Sequence, residues 1–353
     1  MSDLRLPGMI DAHVHLREPG GTHKEDILSG TRAALAGGVV GVLDMPNNTP
    51  PVVDRQSLSA KQTIFERKAV SDYGLFLGFQ GGDLDDLVDA AGQAVGLKLY
   101  LDETFGRMTM RDDRLLEAVF EAWPGPGPIT IHAESESIPG ALDLAHRYRQ
   151  RVHVAHVPQP DDLLVIESAR QRGVEVTCEV TPHHLFLSDD DLPRLGAYGQ
   201  MKPPLIPAAQ VELFWERLAL VDMIASDHAP HARDEKDSDT PPPGVPGLET
   251  TLPLLLYAVD AGRLSPVRMI ELIYHNPLRV YGLSGPVDTE VEVALEGVYR
   301  FPERGYQTRC GWTPFAGQPA LGRIVSVRLH GQIVYRDGEV LATPGFGRLL
   351  VRA

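Results

Sequence analysis

Two histidines separated by one residue, His13 and His15, follow a short apolar segment near the N-terminus. In an extended chain, residues two apart point to the same side, so both imidazoles could bind one metal ion. A motif this short also arises by chance, and histidines that hydrogen-bond within a turn explain it equally well. The pair therefore indicates a metal site only if other ligand-type residues occupy equivalent positions.

Further residues of metal-binding type occur in or directly after apolar segments. They are Lys98, His132, His156 and Asp227. If these segments are parallel strands of a closed barrel, their carboxyl ends meet at one rim, where barrel enzymes place their active sites. Neutral imidazoles and carboxylates suit Zn²⁺, although manganese, cobalt or iron could bind the same set. The pattern predicts a metal centre built from five strand ends.

Lys98 is the unusual member of this set, because it lies inside the apolar segment 96–100. An isolated ammonium group is costly to bury unless it is paired or neutralised. One interpretation is a lysine that reaches solvent or forms a salt bridge with a nearby acid. The other is a neutral amine that takes up carbon dioxide to form a carbamate, which would supply the negative charge that two neighbouring divalent ions require. The residue alone favours the first interpretation.

The elements that must position these residues alternate between strands and helices. Segments rich in Val, Ile and Leu predict buried parallel strands at 8–14, 39–45, 73–79, 96–101, 128–133, 151–157, 174–180 and 221–226. Helical periodicity follows most of them, at 24–36, 56–68, 111–123, 139–150, 161–172 and 207–220. This alternation predicts an α/β fold, a (β/α)₈ barrel of the TIM type, with an open doubly wound sheet as the alternative.

The C-terminal third of the chain predicts additions to this barrel. Residues 232–247 are rich in charge, proline and glycine and indicate a long ordered loop, and helices are predicted at 252–262 and 266–274. Alternating apolar residues on both sides of His330-Gly331 predict a β-hairpin at 322–340. We therefore expect a barrel domain over residues 6–320 and a small, reduced β appendage, residues 321–353, packed against it.

Composition excludes several classes of protein. At 353 residues, with 43% hydrophobic and 23% charged residues, the chain can bury a large core within one barrel. Its 33 basic and 48 acidic residues give a net charge of −15, which argues against a nucleic-acid partner. No segment is typical of a secretory signal or a membrane span, so no membrane association is expected. Two cysteines without a CxxC motif favour a reducing cytoplasm.

Three motifs resemble signatures of the dihydroorotases, a family of cyclic amidohydrolases. They are GMIDAHVHLREPG at residues 8–20, DMPNNT at 44–49 and ASDHAPH at 225–231. Two further stretches, GGTHKED at 20–26 and WTPF at 312–315, are similar to the dihydroorotase domain of the animal multifunctional pyrimidine-synthesis protein. The resemblance extends from about Leu6 to the C-terminus. It implies reversible cyclisation of N-carbamoyl-L-aspartate to L-dihydroorotate in pyrimidine (UMP) biosynthesis.

The resemblance also implies a binuclear metal centre, with zinc as the expected metal. One ion is expected to bind His13, His15 and Asp227, and the other His132 and His156. A carbamate on Lys98 is expected to bridge the two ions. Asp227 is expected to be the catalytic residue that moves the proton between water and the ring nitrogen. Glu18, Asp44 and Glu134 are candidate acceptors for the N–H groups of the ligand imidazoles.

For the substrate, the resemblance implies a carboxylate site and a closing loop. Arg17, Asn47 and His231 are expected to hold the free carboxylate, and the planar fork of an arginine suits this group because it donates two parallel hydrogen bonds. The remaining contacts implied are Thr104 and Phe105 in a loop over the substrate and Pro243 beside the pyrimidine ring. Lys202 stands where many relatives have Asn or Arg, which leaves its contact with the ring open.

Alternative functions come from within and outside the hydrolases. A dihydropyrimidinase or allantoinase is disfavoured by Arg17 and His231, since those substrates lack the exocyclic carboxylate. A catalytically silent dihydroorotase-like scaffold for aspartate transcarbamoylase is disfavoured because every expected metal ligand is present. The family further suggests a homodimer and an association with aspartate transcarbamoylase.

Overall fold

The structure, a computed structural model, describes residues 3–103 and 108–353. In chain order its strands are β1 (Asp3–Leu6), β2 (Met9–Val14), β3 (Val39–Asp44), β4 (Asp72–Leu75), β5 (Leu77–Gly78), β6 (Leu97–Tyr100), β7 (Ile129–His132), β8 (Val152–Val154), β9 (Val176–Val180), β10 (Met223–Ile224), β11 (Glu290–Ala294), β12 (Tyr299–Arg300), β13 (Pro319–Ala320), β14 (Arg323–Leu329), β15 (Gln332–Arg336) and β16 (Glu339–Val340). Its α-helices are α1 (Ile27–Ala36), α2 (Arg55–Lys68), α3 (Leu84–Ala90), α4 (Asp113–Ala122), α5 (Ile138–Tyr148), α6 (Asp162–Gln171), α7 (Pro182–Phe186), α8 (Leu192–Leu195), α9 (Ala208–Glu216), α10 (Arg233–Lys236), α11 (Thr251–Asp260), α12 (Pro266–Ile270) and α13 (Asn276–Tyr281).

Strands β2 to β10 form a closed parallel barrel. These nine strands occupy eight positions, since β4 and β5 are two parts of one strand that is interrupted at Phe76. Backbone pairing runs β2–β3–β4 and β5–β6–β7–β8–β9–β10. The Phe76 N–H donates to the carbonyl of Asp44 at 3.1 Å, which joins the two groups. Val14, at the end of β2, pairs in parallel with His228, which lies just beyond β10, and this closes the ring. The predicted barrel is confirmed over the open sheet.

Several barrel strands are shorter than predicted at the end where the expected ligands lie. Strand β8 ends at Val154 and β10 at Ile224, whereas the predicted strands extend to residues 157 and 226. The backbone turns away here because His156 and Asp227 have positive φ angles, 31° and 45°, which a strand does not tolerate. The carboxyl ends therefore turn outward into the loops that carry the site.

The barrel core explains why these strands are almost uniformly apolar in sequence. Every residue of β2, β3, β6 and β7 is buried. Parallel strands covered on both faces need apolar side chains in both directions, so the few polar residues inside them stand out. Within the described part of the chain, no helix is long and apolar enough to span a membrane.

Helix positions agree with the periodicity, with differences at the ends. Helix α1 begins at Ile27 rather than residue 24, because the Asp26 side chain caps it by accepting a hydrogen bond from the Ser29 N–H at 2.8 Å. The loop expected at 232–247 contains the short helix α10. The helix expected at 266–274 is α12 followed by a π-helical turn, Glu271–His275.

The β appendage is a five-stranded antiparallel sheet in the order β1–β11–β14–β15–β16. The predicted hairpin is present as β14 and β15, with the turn at His330-Gly331. The sheet is not confined to residues 321–353, because β1 at the other end of the chain pairs with β11, and β11 pairs with β14. The C-terminal segment also contacts the barrel directly, since the Leu350 N–H donates to the carbonyl of Tyr73 in β4 at 2.7 Å.

Candidate metal centre and active site

The six predicted metal ligands meet at the carboxyl-terminal rim of the barrel. Strand β2 carries His13 and is followed directly by His15, β6 carries Lys98, and His132 ends β7, while His156 and Asp227 lie in the turns after β8 and β10. All six are buried, with 8% exposure at most. Ligand atoms of His13, His156 and Asp227 lie within 4.8 Å of one another, close enough to bind one ion.

The side chains form two adjacent groups. In one, Asp227 Oδ1 lies 3.1 Å from His15 Nε2 and 3.5 Å from His13 Nε2. In the other, His132 Nδ1 lies 2.9 Å from His156 Nε2. The groups touch, since the rings of His13 and His156 are 5.3 Å apart between centroids. The assignment of ligands to two ions stays a prediction, because the ligand atoms of His13, His156 and Asp227, which lie close enough to bind one ion, come from both groups.

Three buried nitrogen atoms at this rim have no hydrogen-bond partner among the described residues: Lys98 Nζ, His132 Nε2 and His156 Nδ1. Buried polar atoms are nearly always hydrogen-bonded, so a cluster of exceptions needs an explanation. Imidazole nitrogens are good ligands for divalent transition metals. The donor set therefore fits a metal centre.

Burial also sets the protonation states that metal binding requires. It lowers the pKa of His15 to about 4 and that of His132 to about 3, so both imidazoles are neutral at physiological pH. Burial alone would raise the pKa of Asp227, but His13 and His15 hold it well below its usual range. Burial lowers the pKa of Lys98 to about 8, which increases the fraction of neutral amine.

Glu179 is a functional residue that the sequence analysis missed. It is fully buried in β9, where one carboxylate oxygen lies 2.5 Å from His13 Nδ1 and the other lies 3.0 Å from His153 Nε2. An anionic acceptor at Nδ1 keeps the proton on that nitrogen of His13 and leaves Nε2 free to bind a metal. The available signal was a charged residue inside an apolar strand, the same signal that identified Lys98.

The acids proposed from sequence to hold the ligand imidazoles were wrong, because each pairs with a lysine instead. Glu18 binds Lys68 at 2.6 Å, Asp44 binds Lys61 at 2.7 Å, and Glu134 faces Lys202 at 3.5 Å. The acceptor for His15 Nδ1 is Asn47, whose side-chain oxygen lies 2.7 Å away. Asn47 therefore orients an expected metal ligand at the edge of the cavity.

Three of the predicted substrate residues, Arg17, Asn47 and Pro243, line the same cavity. It is lined by metal ligands together with Arg17, Asn47, Tyr100, Lys202 and Pro243. The Arg17 guanidinium donates to the carbonyl of Pro230 at 3.1 Å, and its NH2 lies 3.3 Å from Nε2 of the buried His231. Tyr100, another residue missed from sequence, has a buried hydroxyl with no partner among the described residues. Thr104 and Phe105 lie outside the described residues.

Comparison with known proteins gives relatives over the whole chain. A family model described as the amidohydrolase family matches residues 4–105. The multifunctional protein CAD of Squalus acanthias is 46% identical over 98% of this chain, which spans only 15% of the length of that protein. A dihydroorotase of Methanosarcina mazei is 33% identical, and the match covers 98% of this chain and 87% of the relative.

Solved structures agree with the sequence relatives. An L-hydantoinase (dihydropyrimidinase) from Arthrobacter aurescens superimposes with a TM-score of 0.93 at 26% identity, covering 99% of this chain and 89% of that one. The inactive dihydroorotase-like domain of a Chaetomium thermophilum CAD-like multifunctional protein superimposes with a TM-score of 0.83 at 26% identity, covering 99% of both chains. The fold is thus shared with an L-hydantoinase and with an inactive dihydroorotase-like domain.

Proposed function

The chain belongs to the dihydroorotase family, and on that premise we propose that it interconverts N-carbamoyl-L-aspartate and L-dihydroorotate in pyrimidine biosynthesis. The observation that carries the proposal is one cavity lined by both the metal-ligand cluster and Arg17. Dihydroorotate has a ring amide to be cleaved and an exocyclic carboxylate to be held. The two halves of the cavity match these two groups.

The metal centre proposed for this cavity is binuclear. His13, His15 and Asp227 would hold one divalent ion, His132 and His156 would hold the other, and a carbamate on Lys98 would supply a further negatively charged ligand. Zn²⁺ is the expected metal because the set is rich in imidazole. When bound, the ions supply Lewis-acid polarisation of the amide carbonyl and lower the pKa of water. The Lys98 amine suits carbamate formation because it is fully buried and has no partner among the described residues.

The remaining residues bind the substrate and move protons. Arg17 donates paired hydrogen bonds to the substrate carboxylate, with Asn47 and His231 beside it. In ring opening, the Asp227 carboxylate takes the proton from the attacking water and delivers it to the ring nitrogen as the C–N bond breaks. In ring closure Asp227 starts protonated and gives up that proton as water leaves. Thr104, Phe105 and Pro243 are proposed to cover the ring.

Two other functions are weaker. Arg17 and His231 disfavour a dihydropyrimidinase or allantoinase, whose substrates have no carboxylate for these groups to bind. A silent scaffold is disfavoured because the ligands converge, are buried and have the protonation states that metal binding requires. One panel separates the three functions: the purified protein is assayed with carbamoyl aspartate, dihydroorotate, dihydrouracil and allantoin, and its metal content is measured. Turnover of dihydrouracil alone, or of none of the four by metal-loaded protein, would refute the proposal.

We also propose a cellular location and partners for this protein. Both cysteines, Cys178 and Cys310, are free and buried, which agrees with a cytoplasmic protein. Two relatives over 98% of this chain are multifunctional proteins of which it spans about 15% and 16%. We therefore keep association with aspartate transcarbamoylase, and a homodimer, as proposals. Co-purification and light scattering test them.

A further inference from the structure

We propose that Lys236 is a positioning residue that holds one wall of the cavity in place. This wall consists of residues 200–202 and 242–244. Its members on the cavity surface are Lys202, Pro243 and Gly244. The inference rests on the proposed function, in which Pro243 lies beside the pyrimidine ring. Lys236 follows the ASDHAPH motif in the sequence, and the sequence analysis assigned it no role.

The ammonium group of Lys236 is enclosed within the protein. The residue ends the short helix α10 and is 1% exposed. Its ammonium donates to three backbone carbonyls, those of Ala197 at 3.1 Å, Gln200 at 3.2 Å and Pro242 at 2.8 Å. An ammonium has three N–H donors, so each donor can have one acceptor. These bonds use the full donor capacity of the group.

The three carbonyls belong to two loops that are distant in the sequence. Ala197 and Gln200 lie at the start of the first wall segment, and Pro242 begins the second. The two segments also bond directly, since the Gly244 N–H donates to the Gln200 carbonyl at 2.9 Å. That carbonyl oxygen is the one that also accepts from Lys236. Lys236 therefore reinforces the connection between the two halves of the wall.

The second segment needs a donor from outside because it contains three consecutive prolines, residues 241–243. Prolines have carbonyl acceptors but no N–H, so this stretch cannot fix itself with its own backbone donors. At its other end, Gly244 packs directly on the barrel rim, where a Cβ would lie 2.6 Å from the carbonyl oxygen of Ala229. The rim thus holds one end of the segment, and Lys236 holds the other.

The charge of Lys236 strengthens these bonds and also offers a competing explanation. Burial lowers the pKa of Lys236 to about 8, so the ammonium is still mostly charged at neutral pH, and hydrogen bonds from a charged donor are the stronger kind. The Trp312 ring, with its centroid 5.6 Å from Nζ, covers another side of the group. The charge of Arg17 contributes to the lower pKa, so the two cations interact. Lys236 could therefore act on a substrate carboxylate through its charge alone, and the test must separate this effect from the wall.

The test compares the metal-loaded wild-type protein with Lys236→Met and with a matched control, Arg233→Met. Arg233 lies on the same helix and also donates to backbone carbonyls, those of Glu303 at 3.5 Å and Gly311 at 3.0 Å. It is exposed, and both of these carbonyls lie outside the wall. Each variant thus removes one cation from α10, but only Lys236→Met removes a donor to the wall.

Two measurements are made on each protein. The first is hydrogen–deuterium exchange of a peptide covering residues 241–247, whose amide hydrogens belong only to Gly244, Val245 and Gly247, because the other residues are prolines. The second is equilibrium binding of orotate, whose pyrimidine ring has a carboxylate, and of uracil, which has the ring alone. Exchange in strand β3 and metal content serve as controls for the fold and the metal centre.

We expect faster exchange of the 241–247 peptide in Lys236→Met only, with exchange in β3 and metal content unchanged. The affinities for orotate and uracil should fall by the same factor, about 5- to 30-fold, which corresponds to ordering about one residue of backbone again on binding. Both ligands should be affected alike because both place a ring against the wall. Arg233→Met should match the wild type in every measurement.

Four results would overturn the inference. They are unchanged exchange of the 241–247 peptide, affinities within about twofold of the wild type, a loss of affinity for orotate alone, and faster exchange in β3 as well. The third would show that Lys236 acts through its charge, and the fourth that it only stabilises the fold. If Lys236→Met does not fold, Lys236→Gln, which keeps two donors on a shorter side chain, is judged by the same criteria. Wild-type protein that binds neither ligand would refute the pyrimidine site of the proposed function, while the exchange data still decide the role of Lys236.

Discussion

Glu179→Gln is the most direct test of how the barrel prepares its metal ligands. The substitution keeps the size of the side chain but replaces an anionic acceptor with a neutral amide. Glu179 is fully buried and has contacts on both sides, with His13 Nδ1 at 2.5 Å and His153 Nε2 at 3.0 Å. A glutamine has one oxygen and one NH2 group, so one of the two imidazoles must face a donor. If that imidazole is His13, its proton moves to Nε2 and the nitrogen no longer binds a metal.

The expected magnitude follows from the position of Glu179 behind an expected metal ligand. Loss of a carboxylate that orients a ligand histidine typically lowers metal affinity about 10- to 100-fold. The upper part of this range applies here, because the contact is short and buried and the negative charge of Glu179 is lost as well. This corresponds to about 2–3 kcal/mol of binding free energy.

The assay is a chelator-competition titration of the apoprotein, with circular dichroism to verify folding. Glu175→Gln is the matched control, since Glu175 lies just before β9, changes the charge equally and is exposed. The control should bind metal as the wild type does. If folded Glu179→Gln has wild-type metal affinity within about twofold, the hydrogen bond to His13 does not prepare the metal site and the argument is wrong.

Three further outcomes follow from the same site. Asp227→Asn should lower initial rates of ring opening and ring closure about 10²- to 10⁴-fold, the usual contribution of one acid–base group, and near-normal turnover in either direction would remove Asp227 from its role. Lys98→Ala should lose bound metal and activity, with partial recovery of both in a short carboxylic acid such as acetate; recovery without added acid would exclude a bridging carbamate. Ring closure consumes one proton, so the equilibrium ratio of dihydroorotate to carbamoyl aspartate should fall about tenfold per pH unit above pH 6, and a pH-independent ratio measured by chromatography would identify a different reaction.

The barrel was predictable because its signals are local. Runs of apolar residues indicate strands that are buried on both faces, and most runs are followed by a segment with the periodicity of a helix. Strand β1 was not predictable in this way. It pairs with β11, so that Leu6 lies opposite Val291, and no local pattern reports a pairing across that separation. The composition of the appendage sheet therefore required the structure.

The same distinction between local sequence patterns and contacts between distant residues applies to the site. The ligands were predictable because residue type and strand-end position are both visible in the sequence. Partner assignment was not, as Glu18 and Asp44 show: Glu18 is close to His15 in sequence and Asp44 ends the neighbouring strand β3, yet each pairs with a lysine. Glu179 was missed because its role depends on the direction of its side chain relative to a different strand. Only the fold brings Glu179 to His13, which is 166 residues away in the chain.

The rim of the barrel contains strained backbone at residues with a proposed role in the reaction. Three non-glycine residues there have positive φ angles: Arg17 at 61°, His156 at 31° and Asp227 at 45°. Such conformations cost on the order of 1–3 kcal/mol each and persist only where the surroundings hold them. The turns must leave their strands sharply for these side chains to point into the cavity, so the strain is a consequence of the position that each residue occupies.

Buried acids in the strands below the rim supply the restraint. Three of them accept a hydrogen bond from the backbone N–H of a strained residue or of the residue just before it. The pairs are Asp11 with Ser226 at 3.0 Å, Asp44 with Leu16 at 2.8 Å, and Glu179 with His156 at 3.3 Å. A carboxylate is a stronger acceptor than a carbonyl, so each bond can offset part of the cost of its turn. These three acids inside otherwise apolar strands are thus explained by the turns above them. Glu179 serves two purposes, because it holds the backbone of one expected metal ligand, His156, and the ring of another, His13.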